Sequence, residues 1–113
     1  MAISKILTLR GYQVFTSGTA KGIIETVVEH KPDVILMDHY MPDGLGKDAI
    51  KQLKSSEITQ SIPVIYFSTY ASLGALAKEA GADGYVSKTS SVEFLTDSID
   101  SFLNRTKGAG EDA

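Results

Sequence analysis

The chain has 113 residues, enough for one domain and too few for two, and its 42% hydrophobic and 22% charged residues fit an ordinary globular protein rather than a disordered one. A formal net charge of −3 argues against a basic nucleic-acid-binding surface, and the absence of cysteine excludes disulfides, zinc–thiolate sites and thiol catalysis and fits a cytoplasmic address. No apolar run approaches the ~20 residues of a membrane span, and the opening MAISKILTLRGYQV lacks a small-residue cleavage pattern, so it reads as helix rather than signal peptide.

In chain order, residues 2–10 carry Ile3, Ile6, Leu7 and Leu9 and are expected to form a first helix. Residues 12–16 (YQVFT) favour a strand. Residues 19–30 place Ile23, Val27 and His30 on one helical stripe with Ile24 and Val28 beside it, and His30 would meet the negative end of the helix dipole. Residues 33–37 (DVILM) and 63–67 (PVIYF) are nearly continuous apolar runs, the texture of parallel strands buried on both faces. A helix is expected over 47–55, and another over 72–80 that stops at Gly81. Residues 83–87 (DGYVS) form a fourth strand pattern. The clearest amphipathic helix covers 91–105, with Phe94, Leu95, Ile99, Phe102 and Leu103 on one face, Ser90 or Ser91 as cap and Glu93 in its first turn. Residues 1–105 then make one domain, and 106–113 (TKGAGEDA) a flexible tail.

A helix followed by four strand–helix units argues for an α/β fold, a parallel sheet between two helix layers, with function outside the carboxyl ends of the strands. Asp38 follows VILM, Ser68 and Thr69 follow VIYF, and Lys88 follows YVS. On neighbouring strands these would gather a carboxylate, hydroxyls and an ammonium at one edge. A carboxylate can attack phosphorus to form an acyl phosphate, and an ammonium and a hydroxyl can hold the phosphoryl oxygens. Each residue also has a plainer reading: Asp38 as turn or cap, Lys88 as a solvated side chain, Ser68–Thr69 as a helix cap. The pattern alone leaves both open.

The segment 31–46, KPDVILMDHYMPDGLG, resembles the phosphoacceptor segment of bacterial response-regulator receiver domains: K/R-P-D, four apolar residues, Asp, two variable residues, Met-Pro, three variable residues, Gly. Asp38, Met41, Pro42 and Gly46 fall in place. IPVIYFST looks like the family's fourth strand, ending at Ser68, and AGADGYVSKT looks like the segment leading to its lysine, Lys88. Tyr85 takes the place of the aromatic residue that changes rotamer in the phosphorylation switch. The resemblance covers residues 1 to about 103.

The resemblance implies a flavodoxin-like doubly wound parallel sheet in the order 2-1-3-4-5 and a non-enzymatic switch module of two-component signalling. Asp38 would be phosphorylated by a partner histidine kinase or phosphotransfer protein. Ser68 and Lys88 would sense the phosphoryl group, and Tyr85 would relay the change to a downstream effector. The family pattern departs at three places. Thr89 stands where proline is usual, so a trans bond is expected after Lys88. The stretch 68–81 is about two residues short, so its helix is expected to be short or irregular. The sequence starts at the equivalent of the first helix, without the family's first strand or its metal-binding acidic pair. Magnesium, the family's cofactor, would find here only Asp38 and the backbone carbonyl of Tyr40, so weak or absent binding is expected, unless Asp43 substitutes. Two edges would be left open, and the expectation is a homodimer formed by exchange or edge pairing. The alternative function is a phosphorylation-independent interaction module of receiver ancestry. A nucleotide- or flavin-binding domain is disfavoured because no G-x-G-x-x-G follows a strand, Gly44 and Gly46 reading as turn glycines. His39 could serve as a metal ligand or general base, but is read first as a partly exposed loop residue tuning access to Asp38.

Overall fold

The structure, a computed structural model, describes residues 3–38, 40–41, 43–69 and 73–112, and of residues 40, 41, 45, 73 and 105–112 the main chain only. The elements in chain order are α1 (Ile3–Leu9), α2 (Ala20–His30), β1 (Ile35–Asp38), β2 (Tyr40–Met41), β3 (Gly44–Leu45), α3 (Gly46–Ser55), β4 (Val64–Ser68), α4 (Leu73–Ala80), β5 (Gly84–Ser87) and α5 (Val92–Asp112). Strands β1, β4 and β5 form a parallel sheet in that order, with Asp38 opposite Phe67 and Ser68 opposite Ser87. This is the order expected of the third, fourth and fifth strands. Strands β2 and β3 make a separate antiparallel hairpin directly after Asp38.

The central strand shows why its sequence is apolar throughout. Val64 and Tyr66 are fully buried in a core with Val27 of α2, Ile50 and Leu53 of α3 and Ala77 of α4. Ile65, one residue out of phase, is fully buried in a second core with Leu7 of α1, Val86 of β5 and Leu95 and Ile99 of α5. Side chains alternate across a strand, so a strand with a helix layer on each face needs apolar residues at every position.

Helix ends follow their local chemistry. Thr19 caps α2, its Oγ1 accepting from Gly22 N at 3.0 Å. At the other end Lys31 takes a left-handed conformation (φ 47°) while its N–H donates to Val27 O. Helix α4 stops at Gly81, as expected, with φ +86° and Ala82 N bonded to Ala77 O.

Residues 12–16 are the main correction: among the described residues they join no sheet. Tyr12 and Val14 do pack inward onto the second core while Gln13 and Phe15 face outward, so the strand-like alternation is present without a ladder. The periodicity reported burial, which needs no backbone partner; among the described residues β1 pairs with β4 alone. Helix α4 is eight residues long, in keeping with the expected short helix. Helix α5 runs on to Asp112, through the stretch expected to be a flexible tail. His30 meets Phe15 as well as the helix end; their rings stack with centroids 3.9 Å apart.

Candidate functional site

The site is built at the carboxyl edge of the three-stranded sheet. Asp38 is the last residue of β1, Ser68 the last of β4, and Lys88 follows β5 directly. Strands are spaced ~4.8 Å apart, so β1 and β5 stand roughly 10 Å apart with β4 between them. The lysine side chain spans that gap: Lys88 Nζ donates to Asp38 Oδ2 at 2.7 Å. On the way it passes over the Phe67 ring, Nζ lying 5.7 Å from the ring centroid, within reach of a cation–π attraction. The side chains keep 35% (Lys88) and 44% (Asp38) of their exposure, so the pair is wet and worth about 1 kcal/mol or less to stability. Its partial exposure leaves the carboxylate reachable from outside.

Three backbone features hold this arrangement. Lys88 N donates to Ser68 O at 3.0 Å, carrying the β4–β5 ladder one step past the strand. Among the described residues no peptide bond is cis, in keeping with Thr89 after Lys88. Gly46, at the start of α3, packs against the main chain of Asp38: a Cβ there would sit 1.8 Å from the Asp38 carbonyl oxygen. Its role is close approach of two backbones, beyond that of a turn residue. Ser68 is buried, at 4% exposure, one position beyond the register partner of Asp38, while Thr69 beside it is exposed.

Tyr85 stands apart from the ion pair. It is exposed (56%) in β5 and its ring lies against Gly74 of α4. Tyr40 contributes backbone to β2, its side chain lying outside the described residues, as do His39 and Pro42. Asp43, the imagined substitute metal ligand, is otherwise engaged: its carboxylate accepts from Ala20 N at 2.8 Å and Lys21 N at 3.2 Å, tying the β2–β3 hairpin to the start of α2. Those two backbone N–H groups hold its carboxyl below the usual carboxylate range. Sequence reasoning missed this bond, the Phe67 ring under Lys88 and the Gly74–Tyr85 contact, because none has a spacing signature.

Magnesium prefers octahedral oxygen coordination with one or two carboxylates. Among the described residues no group of three or more His, Cys, Asp or Glu could hold a metal. Asp38 is engaged by Lys88, and Asp43 by the start of α2. This donor set does not fit the ion.

The sequence from residue 1 to 100 matches the family model described as response regulator receiver domain. The chain belongs to that family. It is 34% identical over 105 residues to the transcriptional regulatory protein KdpE of Mycobacterium tuberculosis, covering 93% of this chain and 46% of that protein. It therefore spans about half the length of that relative. It is 31% identical over 100 residues to the polar-differentiation response regulator DivK of Brucella ovis, covering 87% of this chain and 81% of DivK. Among solved structures, a putative response regulator from Chloroflexus aurantiacus superposes with TM-score 0.83 at 20% identity, covering 90% of this chain and 85% of that one. A CheY-like receiver domain protein from Methanospirillum hungatei superposes with TM-score 0.79 at 26% identity, covering 94% and 85%. The receiver fold is thus established. Receiver domains are signalling modules of two-component systems, generally not catalytic; they generally bind magnesium for phosphorylation and interact with histidine kinases and effectors. No helix among the described residues is long and apolar enough to cross a membrane.

Proposed function

We propose that this receiver domain accepts a phosphoryl group on Asp38 from a histidine kinase or phosphotransfer protein, in the cytoplasm. The observation that carries this reading is the 2.7 Å contact between Lys88 Nζ and Asp38 Oδ2 at the sheet's carboxyl edge. An Asp38 oxygen attacks phosphorus, the P–N bond of the donor phosphohistidine breaks, and its electron pair stays on the imidazole nitrogen. The new acyl phosphate brings charged oxygens to the place where the ammonium sits, and Lys88 exchanges a carboxylate for a phosphoryl partner. Ser68 offers its hydroxyl to the same group. The change then passes to Tyr85, whose exposed ring borders α4, and on to an effector.

A second reading is favoured by the poor metal donor set: an interaction module that does not signal through phosphate. Incubation with acetyl phosphate and magnesium separates the two. Stoichiometric labelling supports the acceptor reading; absence of label in folded protein supports the interaction module.

Assembly belongs to the same proposal. Strand β1 offers an unpaired edge among the described residues, and a second copy pairing there would satisfy its backbone groups, each costing on the order of 1–3 kcal/mol if buried unpaired. Analytical ultracentrifugation at micromolar concentration is expected to show a dimer; a compact monomer that unfolds cooperatively contradicts it.

A further inference from the structure

The lysine that spans the sheet leaves from a turn with unusual side-chain chemistry. The Ser87 and Thr89 hydroxyls, on either side of Lys88, lie 2.7 Å apart and share a hydrogen bond. Thr89 N also donates to Ser87 Oγ at 3.2 Å, and Ser90 N donates to Ser87 O at 3.0 Å. Together with the Lys88 N to Ser68 O bond, these contacts tie down the main chain before, at and after Lys88. A hydroxyl that bonds a backbone N–H two residues on makes a compact local turn. Here the turn is closed twice, by an N–H and by a second hydroxyl.

We propose that Ser87 and Thr89 are positioning residues: their paired hydroxyls form a clasp that fixes the backbone of Lys88, and this clasp sets how firmly its ammonium is held on Asp38. A lysine has four rotatable side-chain bonds and considerable entropy to lose on reaching across two strands. A loose backbone at its root would add to that loss; a clasped one directs the side chain over Phe67 toward Asp38. Neither hydroxyl touches the carboxylate in the contacts described, so the effect travels through Lys88. The functional consequence, a faster or slower phosphoryl transfer, rests on the reading of Asp38 as acceptor. The clasp itself does not.

The test uses the full chain, labelled with nitrogen-15, and reads the rate at which the Lys88 ammonium protons exchange with water. In Thr89→Val, which keeps the branched shape and loses the hydroxyl, exchange is expected to rise roughly fivefold, the scale of one lost hydrogen bond. Thr89→Ser, which restores the hydroxyl, should return it to the wild-type rate. Ser87→Ala should raise it as Thr89→Val does and also remove protection from the Thr89 amide. Unchanged exchange in both Thr89→Val and Ser87→Ala overturns the proposal, as does a Thr89→Ser variant as fast as Thr89→Val. Circular dichroism checks that the variants fold, and the conservative Thr89→Ser variant keeps the comparison available if one does not. Labelling by acetyl phosphate, measured in parallel, should slow in Thr89→Val and not in Thr89→Ser. If the wild-type chain takes no label, the acceptor reading fails while ammonium exchange still decides the clasp.

Discussion

A Cβ on Gly74 would stand 3.2 Å from both Cζ and the hydroxyl oxygen of Tyr85, closer than an ordinary Cβ contact, so the tyrosine ring would have to give by a few tenths of an ångström. Gly74 thereby admits the ring to the surface of α4. Tyr85 is exposed, and its far end can swing outward at little cost. Gly74→Ala should therefore displace the ring, seen as altered Tyr85 ring chemical shifts, while raising stability by up to about 1 kcal/mol through helix propensity. Unmoved Tyr85 resonances would contradict the contact.

Gly46 presents the opposite case. The atom its Cβ would meet is the Asp38 carbonyl oxygen, at 1.8 Å, and a backbone oxygen cannot rotate away as a tyrosine can. Gly46→Ala should cost about 2–3 kcal/mol in urea denaturation, as overpacking does, and disturb the main chain of Asp38 directly. A variant within error of wild type would mean that β1 and α3 separate freely.

Much of this arrangement could be read from the residues. The continuous apolar run of β4 gave a strand buried on both sides, and polar residues ending successive strands gave the convergence of Asp38 and Lys88, because strand order places their ends together. The 12–16 segment misled for a physical reason: Tyr12 and Val14 alternate with outward residues whether or not the backbone finds a ladder. Contacts such as Gly74 with Tyr85, or Ser87 with Thr89 across a turn, depend on where side chains lie and leave no periodic mark.

Lys31 pays a conformational cost at the end of α2. Its φ of 47° lies in the left-handed region, which disfavours side chains by about 1–2 kcal/mol. Glycine relieves that strain but adds freedom to the unfolded chain, so Lys31→Gly should gain about 0.5–1 kcal/mol net in thermal or urea unfolding. A loss of stability would show that the lysine side chain makes a contact of its own.

Asp43 should make the start of α2 sensitive to acid. Its carboxyl is lowered from 3.8 by the bonds from Ala20 and Lys21, so the folded state favours the charged form. The contribution is present above the unfolded value and is lost as pH falls through the lower folded value. Hydrogen exchange should show the Ala20 and Lys21 amides losing protection in that acid range, and Asp43→Asn should weaken it at neutral pH. Protection that is indifferent to both would contradict the link.

Whether Asp38 itself receives the phosphoryl group is decided by chemical trapping. Treatment with acetyl phosphate and magnesium, followed by borohydride reduction and peptide mass mapping, reads the acceptor directly, since reduction converts an aspartyl phosphate to homoserine. The expected result is homoserine at position 38, and no such product in Asp38→Asn, whose near-isosteric amide is not a nucleophile and should leave the fold intact. Homoserine at another aspartate, or label retained in the folded Asp38→Asn variant, would contradict it.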